Sequence, residues 1–171
     1  LQETLNRPTI VEIARLAKHI FYGVVIFEGL GAIILFLRFL NPFNIEGMTA
    51  SNILYSAWLG IFHSIAAFNN AGFDLMGGFK SFTEYASDPI INFTITGLII
   101  IGGIGFYVLS DLYNTFRGRT LHLSFHSKVA IFSTIFLIIA GSIVIFSFEY
   151  NNPETLGSLN MPTKIMASYF Q

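Results

Sequence analysis

The sequence has no cysteine, which excludes disulfides and thiolate metal sites without identifying a compartment. It is also short of charge. Only 11% of its 171 residues are Asp, Glu, Lys or Arg, where a soluble domain carries about 25%. The formal net charge of −1 argues against a nucleic-acid partner, because phosphate binding needs a basic face. The opening stretch lacks the apolar core of a signal peptide, since Glu3, Arg7, Glu12, Arg15 and Lys18 interrupt it. No Ser/His/Asp constellation, phosphate loop or paired acid/base site emerges, so the expectation is that the chain is not an enzyme. What is abundant is apolar: 53% hydrophobic and 16% aromatic residues, with 19 Phe and 7 Tyr. Lipid is the solvent that such a composition suits. Residue 1 is Leu, and the expectation is a fragment of a longer protein.

Three stretches are long enough to span a bilayer: Ile20 to Leu40, Ile90 to Leu109 and Val129 to Phe148. A fourth, Ile53 to Phe68, is shorter, and Ser51 and Ser56 are plausible N-caps for it. By length it fits a re-entrant helix or an interfacial one. Charge placement separates the two. Arg7, Arg15 and Lys18 precede the first span, and Arg117, Arg119 and Lys128 follow the second. The intervening loop is poor in basic residues, with Lys80 and, at its edge, Arg38 set against Glu46, Asp74, Glu84 and Asp88, and the final loop has only Lys164 beside Glu149 and Glu154. The positive-inside rule then puts the N-terminal end and Asp111 to Lys128 in the cytoplasm, with Asn41 to Pro89 and Glu149 to Gln171 outside. A short apolar segment with both ends on one side is a pore loop. Met161-Pro162 opens a possible second short helix over Lys164 to Phe170, a weak echo of the first half.

The segment Phe68-Asn69-Asn70-Ala71-Gly72-Phe73-Asp74-Leu75 carries the chemistry. A cation crossing a membrane exchanges its water shell for other oxygens, and backbone carbonyls of a non-helical chain supply them. Such backbone is tolerated at membrane depth only against protein or a water-filled cavity. Gly72 permits the unusual dihedrals, and the preceding helix aims its partly negative end at the site. The alternative is an ordinary Asn/Gly turn.

These residues resemble the second pore loop of Ktr-type potassium uptake proteins, in the Trk/Ktr/HKT cation transporter superfamily. Glu28-Gly29-Leu30-Gly31-Ala32 is similar to the first helix of that repeat, and Gly102-Gly103-Ile104-Gly105-Phe106 through Asp111-Leu112 to its second. Leu1-Gln2-Glu3 with Leu5-Asn6 looks like the linker leaving the first repeat. The resemblance implies an all-α integral membrane fold of four helix–pore-loop–helix repeats with pseudo-fourfold symmetry around one pore. Residues 1–116 would be the second repeat with its leading linker, and 117–171 a cytoplasmic linker with the truncated first half of the third. Asn69, Asn70, Ala71, Gly72 and Phe73 would form the filter, with K+ held by the backbone of Asn70, Ala71 and Gly72. It further implies potassium as the transported ion, with sodium dependence in some members, no covalently bound cofactor, a bacterial plasma membrane, pairing as a homodimer, and a cytosolic nucleotide-binding regulatory ring. The remaining repeats would come from the same polypeptide.

Other residues admit two readings each. Glu28 lies inside a span and either supports neighbouring structure by hydrogen bonding or meets the ion. Asp74 either concentrates cations at the pore mouth or is a solvated loop carboxylate. Gly97, Gly102, Gly103 and Gly105 thin one helix face for close packing, a reading preferred to a hinge. His122 and His126 have chelating spacing but sit in a basic linker; His19 and His63 are scattered. Asn92-Phe93-Thr94 fits the glycosylation pattern inside a span and is discounted. The runner-up function is a membrane scaffold with an interfacial helix. A haem-holding redox protein ranks last, since no span has a central His.

Overall fold

Apolar length dictates the architecture. The structure, a computed structural model, describes residues 10–40 and 50–171. Among these it is all helical: α1 (Ile10–Phe39), α2 (Ala50–Phe68), α3 (Pro89–Ile104), α4 (Phe106–Phe116), α5 (Phe125–Glu149) and α6 (Met161–Phe170). The leading linker from Leu1 to Asn6, with Arg7, and the connection holding Glu46 lie outside the described residues. Ala17–Phe39 of α1 and the whole of α5 are each long and apolar enough to cross a membrane; α3 and α4 add a third span if they are counted as one bent unit.

That bend corrects one expectation. The apolar run from Ile90 to Leu109 is not a single helix. It breaks at Gly105, where φ is 90° and ψ is 146°, and α4 leaves at 96° to α3. Side chains other than hydrogen strain at such a φ, so Gly105 serves as a break and not as a packing residue. Gly102 does serve packing: a Cβ built there would lie 2.8 Å from the carbonyl carbon of Phe68, at the end of α2.

Helix α2 is 19 residues long, starting before the expected Ile53. Ser51 lies in its first described turn, and Ser56 is well inside it. Ser56 is therefore no N-cap. Its hydroxyl donates instead to the Phe39 carbonyl at 3.3 Å, serving an end carbonyl of α1.

Contacts along α2 fix its direction. Ser56 meets Phe39. A Cβ built at Gly60 would lie 2.8 Å from the Ala32 carbonyl oxygen and 2.8 Å from the Phe36 nitrogen. The Ser64 hydroxyl donates to the Glu28 carbonyl at 2.7 Å, and Phe68 stacks on Phe27 at 6.1 Å. Rising numbers on α2 meet falling numbers on α1, so the two are antiparallel. Helix α2 starts beside the C-terminal end of α1 and stops beside Glu28, midway along the Ala17–Phe39 span.

The chain then returns to the level at which α2 began. Asp88 caps α3 by accepting from the Ile90 and Ile91 N–H groups at 3.0 and 3.2 Å, with Pro89 in the first turn, where its missing N–H costs nothing. The same carboxylate pairs with Arg38 at the end of α1. Helix α3 descends beside α2, and Leu35, Ala67, Phe68, Ile91, Ile95 and Leu98 form the core between the three helices.

Asn160 caps α6, its side chain accepting from the Thr163 N–H at 3.0 Å, and the helix extends over Met161–Phe170, earlier than the expected Lys164. Buried Lys164 donates to the Tyr150 carbonyl at 2.9 Å and lies 4.2 Å from the Tyr150 ring centre, which ties α6 to the end of α5. Phe170 reaches Phe82 of the loop before α3 at 6.3 Å.

Candidate ion-filter loop

The loop begins with a closed helix end. The Asn70 N–H donates to the Ala67 carbonyl at 3.1 Å and the Ala71 N–H to the Ala66 carbonyl at 2.9 Å. With Asn70 at φ 52°, this is a Schellman-type cap using Asn where Gly is usual. Residues 71–75 then run without helix or strand, and Gly72 takes φ +71°. A Cβ at Gly72 would meet nothing within 4 Å, so within this chain the glycine is required by backbone conformation and not by crowding.

The carbonyl oxygens of Asn70, Ala71 and Gly72 accept no hydrogen bond from any described residue. Unclaimed carbonyls beside the middle of a membrane span are costly unless water or an ion meets them.

Side chains hold the turn from behind. The Asn69 amide donates to a Glu28 carboxylate oxygen at 2.7 Å and to the Ile65 carbonyl at 2.9 Å. Asn70 reaches the Ile99 carbonyl at 3.4 Å, the long end for such a bond. Asp74 accepts from the Met76 N–H at 2.9 Å, shaping the return of its own loop. Phe73 is exposed. Glu28 thus meets Asn69, while Asn70, Gly72, Phe73 and Asp74 line one cavity.

Sequence reasoning passed over His63. It is buried in α2. The Leu75 N–H donates to its Nε2 at 3.1 Å. The other ring nitrogen, Nδ1, lies 2.8 Å from the Leu59 carbonyl. Because an amide can only donate, Nε2 must be the acceptor and Nδ1–H the donor. A cavity of about 300 Å³ is lined by His63, Gly72, Phe73, Asp74, Ser81 and Phe82, among others. The available signal was position: a histidine in the short helix, upstream of the Asn-Asn-Ala-Gly turn.

The remaining candidates lie elsewhere. His126 is in α5 against Tyr107 at 5.4 Å, whereas His122 is in the preceding turn. Among the described residues, no group of three His, Cys, Asp or Glu could hold a metal. The Asn92 amide is buried and donates to the Tyr85 and Asp88 carbonyls at 2.8 and 2.6 Å. Arg117 and Arg119 both lie over Tyr113, at 5.2 and 6.0 Å from its ring centre.

Comparison with known proteins agrees with this architecture. The chain is 39% identical over 172 residues to Ktr system potassium uptake protein B of Bacillus subtilis, covering 100% of this chain and 36% of that protein. It is 32% identical over 170 residues to the protein of the same name from Vibrio alginolyticus, covering 99% of this chain and 35% of that one. Against potassium/sodium uptake protein NtpJ of Enterococcus hirae it is 33% identical over 151 residues, covering 88% of this chain and 31% of the relative. The chain spans about a third of the length of these relatives. The family described as "TrkH: Cation transport protein" matches residues 2–171, and the chain belongs to that family, one of transporters and not of enzymes.

Proposed function

We propose that the chain conducts potassium as part of a larger pore, with Asn69 to Phe73 as one filter loop and the backbone carbonyls of Asn70, Ala71 and Gly72 as its ion ligands. The observation that carries this is the row of unclaimed carbonyls on an irregular segment beside the middle of α1. A cation there would take the oxygens that no protein donor uses. Glu28 positions the loop through Asn69, and Asp74 adds negative charge beyond it. Residues 1–116 act as the second repeat and 117–171 open the third, with α5 and α6 repeating the relation of α1 and α2. The N-terminal end is cytoplasmic in a multi-pass plasma-membrane protein. Similarity to Ktr and potassium/sodium uptake proteins supports potassium as cargo, with sodium as a companion ion. The full protein pairs as a homodimer, and a cytosolic nucleotide-binding ring meets the Arg117 to Lys128 linker. A scaffold with an interfacial helix fits less well, because α2 is buried against both α1 and α3 and does not lie free on a surface.

The test is Gly72→Ser beside Gly72→Asn in the full-length protein, with potassium and sodium uptake measured in cells lacking other uptake systems. A left-handed backbone costs a residue other than glycine roughly 1–3 kcal/mol, and each 1.4 kcal/mol is about tenfold in an equilibrium. Ser should lower potassium uptake or its preference over sodium at near-normal membrane expression. Asn, which tolerates such dihedrals, should be milder. Unchanged affinity and selectivity in the Ser variant would make the loop an ordinary turn.

A further inference from the structure

We infer that His63 is a positioning residue for the filter loop and that it works only as the neutral imidazole; this rests on the filter reading above. The loop has two limbs. The entering limb is fixed by backbone bonds at the end of α2 and by Asn69 on Glu28. On the returning limb, the Leu75 N–H, three residues past Gly72, donates to Nε2 of His63 and so ties the limb to α2.

The geometry leaves this histidine little choice. Its Nδ1–H is committed to the Leu59 carbonyl one turn back in the same helix. The ring is wedged against Phe62 at 5.5 Å, Phe82 at 4.9 Å and Phe39 at 6.1 Å. It therefore has no room to turn away and still pack. If Nε2 takes a proton, the ring presents N–H to N–H at Leu75, and the bond becomes a repulsion. The returning limb would then be released from α2 while the entering limb stays fixed.

The surroundings bear on when that happens. Burial holds the ring below the usual histidine range, partly offset by the Leu59 carbonyl and by Asp74, the charged group on the returning limb itself. The charges on the other packed elements are engaged with one another: Arg38 of α1 with Asp88 before α3, and Lys80 with Glu84 on the surface of the loop. The cavity that His63 shares with Gly72, Asp74 and Ser81 gives a proton a route to the ring.

The experiment uses the full-length protein and compares His63→Gln with His63→Phe, beside Gly72→Ser, reading potassium-over-sodium preference at about pH 8 and about pH 4.5, the lower value set well beneath the ordinary histidine pKa of about 6.5 because burial lowers that of His63. Phe keeps the aromatic packing and loses the acceptor, so preference should fall roughly two- to tenfold at both pH values, as expected for one lost hydrogen bond. Gln offers an oxygen near Nε2 that does not titrate, so it should restore preference at high pH and hold it at low pH, where the unaltered protein loses it. If His63→Phe keeps full preference, or His63→Gln shows the same loss on acidification as the unaltered protein, His63 does not act this way. Should that occur while Gly72→Ser is impaired, the filter reading stands and the His63 inference alone falls. If Gly72→Ser is itself unaffected, the filter reading fails first.

Discussion

Gly102→Ala adds one methyl group where α3 crosses the end of α2. That carbon would sit 2.8 Å from the Phe68 carbonyl carbon and closer still to its oxygen, both inside the 3.0 Å that real Cβ contacts respect, and 3.3 Å from its Cα. The obstacle is backbone, so no rotamer change relieves it. Either α3 retreats or the end of α2 moves, and Asn69 follows Phe68 directly. Overpacking of this kind costs about 1–3 kcal/mol, while replacing Gly by Ala inside a helix returns about 1 kcal/mol. Gly97→Ala supplies the control on the same helix, since a Cβ there meets nothing within 4 Å. The propensity term cancels between the two, leaving a difference of about 1–3 kcal/mol from the clash alone. Thermal unfolding of the purified full-length protein in detergent reads stability, and cellular uptake reads function. Gly102→Ala should melt lower and lose potassium preference; Gly97→Ala should match or exceed the unaltered protein in stability and keep its uptake. Equal melting and equal uptake for both variants would refute the close crossing of α3 on α2.

Two further outcomes test the frame around the loop. These 171 residues hold no cysteine, so in a full-length protein cleared of cysteine elsewhere, single cysteines at Ser81 and Asn151, both exposed, should react with a membrane-impermeant thiol reagent from outside, and one at exposed Thr120 only after the membrane is opened. Labelling of Thr120 from outside would reverse the proposed orientation. Asp88→Asn should keep much of the α3 cap while losing the charge opposite Arg38, and Asp88→Ala should lose both, so detergent unfolding should place Ala below Asn by about 1 kcal/mol, the worth of a cap.

The sequence exposes what depends on composition and local order. Apolar length was enough to find α1 and α5, and the shortness of the run ending at Phe68, followed by Asn-Asn-Ala-Gly, was enough to find α2 and its loop. A carboxylate in mid-span drew attention to Glu28, though its Asn69 partner is 41 residues away and invisible to any local pattern. The break at Gly105 was missed because hydropathy does not register dihedrals: Gly-Gly-Ile-Gly-Phe is as apolar as a continuous helix. Ser56 was mistaken for a cap because a hydroxyl near a helix start looks the same whether it serves its own helix or, as here, the last turn of α1. The bond from Leu75 to His63 escaped for a similar reason, since it exists only once the loop has doubled back on α2.

The closed end of α2 has a consequence for how the sequence can change over time. Because Ala66 and Ala67 accept from Ala71 and Asn70, the last turn and the loop rotate as one piece. A residue inserted into α2 would turn that piece by about 100° and shift it by about 1.5 Å. The same insertion would carry Gly60 away from Ala32 and Phe36, where an added Cβ has no space, and put a larger side chain in its stead. Helix α2 should therefore accept substitutions on its exposed face yet resist insertions and deletions, as a segment whose residue count is set by the seat of Gly60 on α1.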